Sequence, residues 1–410
     1  MIDAARVMSR CEALAKLSEL PGGLTRVYLS KEQRAANEQV LGWMREAGMQ
    51  ASLDAIGNCV GRYEGERPGL ACLMLGSHLD TVRDAGRYDG MLGVITAIEC
   101  VHALHAAGRR LPFAIEVVGF ADEEGVRFGT TFLGSRAIAG TFRPEALEAR
   151  DRDGIALADA MRAFGLDPSR IGTAARARGA VLAFAELHIE QGPVLESEGL
   201  PVGVVTAING ATRYQFTLEG MAGHAGTVPM ALRQDALAAA AECVLAVEAR
   251  GRGTAEMVAT VGRLETLPGA TNVIPGRVAF TLDLRSPRDA EREAAVAALI
   301  GEIGAICARR QVRVEACKLH DEPVAVCAPW MQAALAAAIA AEGVPVRRLP
   351  SGAGHDGMAM QAIAPIGMLF VRCRHGISHN PAEAITEADA ALATRVLARF
   401  IESFAPPPGG

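Results

Sequence analysis

Four apolar runs in this chain each end directly in residues of metal-ligand type: LMLGSHLDT (His78, Asp80), VVGFADEEG (Asp122, Glu123, Glu124), FAELHIEQG (Glu186, His188, Glu190) and FVRCRHGISHNP (His375, His379). Each run reads as a buried strand, because its apolar residues are continuous rather than alternating. Strands that carry polar residues at their carboxyl ends belong in an open α/β sheet. Sites assemble outside that edge, so residues far apart in sequence converge. A fifth ligand candidate, Asp89 of RYDG, stands just before an apolar helix predicted over 91–107. A single His or a Glu-Glu pair at a strand end is ordinarily a hydrogen-bonded or solvated residue. The joint occurrence of four such ends is what points to a shared centre. His102 and His105, on the 91–107 helix, bring no carboxylate with them and are read as structural or solvent-facing, and His320 stays unassigned.

Imidazole and carboxylate together, without thiolate, suit Zn2+, Mn2+ or Co2+ better than a structural zinc–cysteine site. Three His and at least two carboxylates can hold two ions if one carboxylate bridges, and Asp89 is the residue placed at the bridge. Two ions ~3.5–4 Å apart polarise a carbonyl and acidify a water. Of the neighbours Glu123 and Glu124, one can bind metal while the other acts as general base.

The same strand–helix alternation sets the architecture. Strands are predicted over 70–75, 113–121, 181–187 and 366–371, giving an α/β domain with a mixed, largely parallel sheet flanked by helices. The rhythm changes after residue 212: strand 213–219, helix 235–250, strands 257–264 and 278–284, helix 289–309, strand 312–318. That order fits an α+β split-βαβ (ferredoxin-like) unit. The expected organisation is a catalytic domain of residues 1–211 and 324–410, interrupted by an inserted domain of 212–323.

Composition removes several classes. The net charge of −6 comes without a Lys/Arg stripe, so no nucleic-acid partner is expected. Nine cysteines, an odd number without a C-x-x-C pair, read as reduced and mostly buried thiols of a cytoplasmic protein. No run reaches the ~18 apolar residues of a membrane span, and the first twenty residues lack the apolar core of a signal peptide. The tail APPPGG is expected to fray. No G-x-G-x-x-G follows the first strand, which argues against a dinucleotide-binding fold.

The motifs GSHLDTV (76–82), YDG (88–90), DEEGVRFG (122–129), HIEQGPVLE (188–196), GHAGT (223–227), TNVIPG (271–276), DLR (283–285), SGAGHD (351–356) and SHNP (378–381) together resemble the amidase, hydantoinase/carbamoylase family. That family belongs to the dinuclear-metal amidohydrolases and peptidases of the aminoacylase and carboxypeptidase type, with a zinc-peptidase-like catalytic domain. The resemblance implies one ion on His78, Asp89 and His188, a second on Asp89, Glu124 and His379, and Glu123 as base. It implies that Asp80 orients His78, and that the inserted domain is a lid and homodimer interface. His224 of that domain would help stabilise the oxyanion, in its own site or the partner's, a contribution of ~3 kcal/mol. Arg285 and Asn272 would bind a substrate carboxylate, Arg285 through its planar fork. Gln191, His355 and Arg213 are further polar contacts, with Gln191 and His355 near the metals. His188, where a carboxylate is common in the wider superfamily, favours the carbamoylase branch. In one departure, Arg83–Gly86 reads RDAG where many relatives carry an Asn-Gly turn.

The implied activity is hydrolysis of a ureido or carbamoyl C–N bond by two divalent ions (Zn2+ or Mn2+, with Co2+ or Ni2+ as further options). The substrate is a small carboxylate, allantoate first and an N-carbamoyl-L-amino acid next, with β-ureidopropionate related; ammonia and carbon dioxide are released. The alternatives are an aminoacylase or dipeptidase acting on N-acyl amino acids, and a non-catalytic scaffold. The intact Glu123 and full ligand set argue against the scaffold.

Overall fold

The structure is a computed structural model and describes residues 2–407. Residues 408–410 of the APPPGG tail lie outside the described residues. The chain forms two compact units. The larger contains residues up to Thr206, Val326–Leu349 and the chain from Ala353; the smaller contains Ala207–Ala325 and Pro350–Gly352.

The larger unit opens with helix Ala4–Ala15 and helix Lys31–Glu46, the latter capped by the Ser30 hydroxyl accepting from the Gln33 N–H. Strands β1 (Gln50–Leu53), β2 (Cys59–Tyr63), β3 (Cys72–His78), β4 (Ala114–Phe120), β5 (Val181–Ile189) and β6 (Val202–Ile208) follow. After the smaller unit come β14 (Ala325–Val326), β15 (Arg348–Ser351) and β16 (Ile366–Val371). The sheet order is β1-β2-β4-β3-β5-β16-β6-β14, with β15 also paired to β6. Its four central strands, β4, β3, β5 and β16, run parallel, and β1, β2 and β6 pair antiparallel. Every residue of β3, β4 and β16 is buried, as expected for strands covered on both faces.

Helix Met91–Ala106 packs on this layer and is buried nearly all round, which explains its uniformly apolar sequence. The predicted strand 70–75 runs later, at Cys72–His78, so His78 is the last strand residue rather than a loop residue. The β1–β2 hairpin escapes a search for apolar runs because its residues alternate in burial and include Gln50, Ser52 and Arg62.

The smaller unit has β7 (Gly210–Glu219), the two-residue β8 (Gly223–His224), helix Ala236–Arg252, β9 (Val258–Thr260), β10 (Leu264–Leu267), β11 (Val273–Ile274), β12 (Arg277–Ser286), helix Asp289–Arg309 and β13 (Arg313–Glu322). Its main sheet is antiparallel with order β10-β12-β7-β13 and β9 beside β12. The helices bury Ala239, Cys243, Leu299 and Ile303 against Phe216, Phe280 and Leu282. The single strand expected over 257–264 is two strands: β9 pairs with Asp283–Arg285 and β10 with Arg277–Phe280. The interruption falls at Val261–Arg263, around Gly262, a residue with no side chain to pack. Among the described residues no helix is long and apolar enough to cross a membrane.

Candidate metal centre

The carboxyl ends of β3 and β5 place His78 and His188 side by side, with ring centroids 5.8 Å apart. Each ring is fixed by a main-chain carbonyl: His78 Nδ1 lies 2.9 Å from Asp80 O, and His188 Nδ1 lies 2.8 Å from Ile189 O. A carbonyl can only accept, so both Nδ1 atoms carry hydrogen and both Nε2 lone pairs point away from it. What they face is Asp89. Its Oδ1 lies 3.1 Å from His188 Nε2 and 3.4 Å from His78 Nε2. Asp89 Oδ1 and His188 Nε2 are both buried without a hydrogen-bond partner. When both rings are neutral, three acceptors converge on one point, an arrangement that suits a cation between them. The residues therefore fit a metal ion.

The other oxygen of Asp89 looks elsewhere. Oδ2 accepts from Gln191 Nε2 (2.9 Å) and Ser378 Oγ (2.7 Å), and lies 3.2 Å from His379 Nε2. His379 Nε2 is in turn 3.6 Å from Glu124 Oε1. His78–Asp89–His188 and Asp89–Glu124–His379 are thus two ligand groups that share one carboxylate. A third group, His78–Glu123–Glu124, overlaps both, and a fourth joins Glu186, His188 and His355.

Local backbone geometry supports this. Asp122 turns the chain after β4 with φ 54°, so that Glu123 and Glu124 both enter the site. Their N–H groups donate to Asp80 Oδ1 (3.1 Å) and Oδ2 (3.2 Å). Asp80 therefore orients His78 through its carbonyl, while its carboxylate, no closer than 3.9 Å to the ring, holds the Glu123–Glu124 turn. Gly90 has φ 72°, and a Cβ there would lie 2.5 Å from the His78 ring. Only glycine lets Asp89 and His78 approach this closely.

Electrostatics follow from burial and crowding. Burial opposes a charged His78, but the Asp89, Glu123 and Asp80 carboxylates outweigh it and raise the ring well above the ordinary histidine range. His188 is raised by Asp89 against burial, and His379 is raised chiefly by Asp89. Burial lifts Glu124 to about 7 and Glu123 well above the usual carboxylate range, Glu124 adding to the latter shift. His355, buried against the His188 ring at 4.5 Å, is held well below the ordinary range.

Gln191 and His355 therefore sit at the centre, Gln191 on Asp89 and His355 on His188. Two strand-end candidates do not. Glu190 accepts from the Val194 and Leu195 N–H groups, and exposed His375 lies beside Glu196. In the smaller unit, His224 is exposed and its Nδ1 accepts from the Gly226 N–H. Asn272 is exposed one residue before β11, and its carbonyl accepts from the Ala225 N–H. The Arg285 fork is already engaged: Nε and Nη2 donate to Asp283, and Nη1 donates to Gly352 O. Arg213 Nε donates to the same Asp283.

Some contributing residues were not singled out from sequence. Ser378 and Asp356 stood inside quoted motifs without a role, and Glu383 stood outside them. Glu383 is buried and accepts from the Tyr88 and Asp89 N–H groups. Its signal, an acidic residue four after a ligand His, is indistinguishable from a solvated loop position. Asp356 and Glu186 are buried carboxyls behind the centre, both raised by burial.

Comparison with known proteins converges on the same chemistry. Residues 74–403 match the model for peptidase family M20/M25/M40. The N-carbamoyl-L-amino acid amidohydrolase of Geobacillus stearothermophilus is 45% identical over 398 residues, covering 97% of each chain. Allantoate deiminase 1 of Glycine max is 39% identical over 427 residues, covering 97% of this chain and 88% of that one. The crystal structure of a hydantoinase/carbamoylase family amidase from Burkholderia multivorans superposes with TM-score 0.92 at 34% identity, over 98% of this chain and 97% of that one. The chain belongs to the M20/M25/M40 peptidase family, among its hydantoinase/carbamoylase amidases.

Proposed function

We propose that this chain hydrolyses the carbamoyl C–N bond of a small ureido carboxylate, with an N-carbamoyl-L-amino acid as the first substrate to test and allantoate the second. The observation that carries the reading is the divided Asp89 carboxylate, one oxygen towards His78 and His188 and the other towards Glu124 and His379. The names of the relatives set the substrate order, since the carbamoyl-amino-acid relative is 45% identical and the soybean allantoate relative 39%.

In the proposed mechanism His78, Asp89 and His188 would hold one divalent ion, and Asp89, Glu124 and His379 a second, Zn2+ or Mn2+ being the best-fitting choices. Such ions supply polarisation of the substrate carbonyl and a more acidic water. Glu123 takes the proton from the attacking water and delivers it to the leaving nitrogen. In the metal-free site burial raises its proton affinity; adjacent cations would lower it again and leave the ionised carboxylate that a general base needs. Gln191 and Ser378 keep Asp89 oriented, and Asp80 keeps Glu123 and Glu124 in the turn. Arg285, Asn272 and Arg213 would receive the substrate carboxylate, and His224 would stabilise the developing oxyanion. Two of the five guanidinium N–H donors of Arg285 remain for a ligand after the three bonds to Asp283 and Gly352. The products are the amine, carbon dioxide and ammonia.

The proposal includes a homodimer through the smaller unit, which exposes Met221, Met230, Leu232 and Leu245, and a reducing compartment such as the cytoplasm, since eight of the nine cysteines are buried free thiols. The test is ammonia release by the Mn2+-loaded protein from N-carbamoyl-L-amino acids and allantoate, beside amine release from N-acetyl-L-amino acids. Turnover of the ureido compounds supports the reading. Turnover of the N-acetyl compounds alone would replace it with an aminoacylase.

A further inference from the structure

Asp89 lies near the end of the 79–90 connection between β3 and helix Met91–Ala106, in a stretch, 86–90, that pairs with no strand. Its main-chain donors still have to be satisfied, because an unpaired buried N–H is costly. The group that satisfies them comes from 295 residues further along the chain. Glu383 Oε1 accepts from the Tyr88 N–H (2.7 Å) and the Asp89 N–H (3.1 Å). Its other oxygen lies 3.2 Å from Ser378 Oγ, and Ser378 Oγ donates at 2.7 Å to Asp89 Oδ2. One side chain thus holds the backbone of Asp89 and abuts the hydroxyl that aims its carboxylate, a hydroxyl whose single hydrogen goes to the nearer Asp89 oxygen. Ser378 also precedes His379, a ligand in the second candidate group, so Glu383 joins two of the three segments that supply that group.

The fit leaves no slack. A Cβ on Gly86 would lie 2.1 Å from the Glu383 carboxyl carbon, so the carboxyl rests directly on the loop backbone. Glu383 is only 3% exposed, yet it belongs to none of the ligand groups found among the described residues. It acts through Asp89 rather than on an ion.

We propose that Glu383 is a positioning residue for metal binding: by tying the Asp89 loop to the Ser378–His379 turn, it sets the orientation of the shared carboxylate. This rests on the ligand assignment proposed above. The interaction is one of hydrogen-bond shape. Gln would keep an oxygen for the two N–H groups and present an NH2 to the Ser378 oxygen, whereas Ala would release both segments.

The test is Mn2+ titration calorimetry on the full chain after removal of metal by chelation, for the wild type, Glu383→Gln, Glu383→Ala and Ser378→Ala. Melting in EDTA and separate kcat and KM values are recorded alongside. The wild type should bind two Mn2+ per chain. Glu383→Ala should bind ~10–100-fold more weakly, losing kcat at limiting Mn2+ and recovering it as Mn2+ is raised, with KM little changed. Glu383→Gln should bind close to wild type. Ser378→Ala, which leaves the loop backbone untouched, should also weaken binding and stands in if Glu383→Ala does not fold. Wild-type Mn2+ affinity in the folded Glu383→Ala protein, or in Ser378→Ala should that stand in, would overturn the proposal, as would a Glu383→Gln protein as weak as Glu383→Ala. A wild type that binds no pair of ions would instead overturn the ligand assignment beneath it.

Discussion

Replacing Glu123 by Gln separates base from ligand. The two neighbours are held independently of their side chains, because Asp80 Oδ1 and Oδ2 accept from the N–H groups of Glu123 and Glu124 respectively. Gln leaves both bonds intact and keeps the side-chain shape, so Glu124 should remain 3.6 Å from His379 Nε2. What is lost is the proton acceptor. A positioned base contributes ~10²–10⁴-fold. Glu123 is only 7% exposed, so bulk water does not readily replace it as proton acceptor, which puts the loss at the upper end. We expect kcat to fall by about 10³–10⁴-fold, or roughly 4–5.5 kcal/mol of barrier. Metal content should stay at two ions per chain. Stability should not fall, because an expensive buried carboxylate is replaced by a neutral amide. The assay is ammonia release under saturating Mn2+, with metal content measured on the same preparation. A Glu123→Gln enzyme that keeps more than about a tenth of wild-type kcat, or that loses an ion, refutes the division of roles.

Further expectations follow from the same geometry. Glu124→Ala should lose the ion it shares with Asp89 and His379 while keeping the one on His78 and His188, read as one Mn2+ per chain by calorimetry. Gly90→Ala forces a side chain into a left-handed backbone and into the His78 ring; it should cost more than ~1 kcal/mol in urea unfolding and abolish the first ion, and unchanged stability would contradict the geometry. Arg285→Lys keeps the charge but cannot span both oxygens of Asp283, so KM should rise more than kcat falls. The metal-free protein should lose stability as pH rises. Glu123, Glu124, His78, His188 and His379 all hold protons more tightly folded than unfolded, so the folded state binds more protons and alkali favours unfolding. For Glu124, raised from 4.5 to about 7, the loss falls between pH ~6 and ~8 and is on the order of 1 kcal/mol. Saturating Mn2+, which needs the deprotonated ligands, should flatten or reverse that trend; melting in EDTA that rises with pH across this window would contradict the shifts.

Strand ends were the most readable part of this sequence, because a strand buried on both faces must be continuously apolar and its first polar residue marks the edge. That logic located His78, the Asp122–Glu124 turn and His188; His379 lies well past the end of β16, in a run whose other histidine, His375, stays outside the centre. It failed where the determinant is a hydrogen bond between distant segments. Asp80 looks from sequence like a carboxylate partner for His78, but its carbonyl does that work while its carboxylate holds two amides. Glu383 carries no periodic or motif signal, since its role exists only once residues 86–89 fold against it. Arg285 reads as an open fork, but Asp283, two residues back on the same face of β12, already occupies it. The break between β9 and β10 is hidden because the apolar pattern of 257–261 resumes at Leu264, just past Gly262 and Arg263.

The most direct test is the location of the ions themselves. A crystal of the Mn2+-soaked protein, with diffraction recorded at the manganese absorption edge, reports them by anomalous scattering. The account predicts two peaks on opposite sides of Asp89, one ligated by His78 and His188 through the Oδ1 side and one by Glu124 and His379 through the Oδ2 side. A single peak, or two peaks that do not share Asp89, would contradict it.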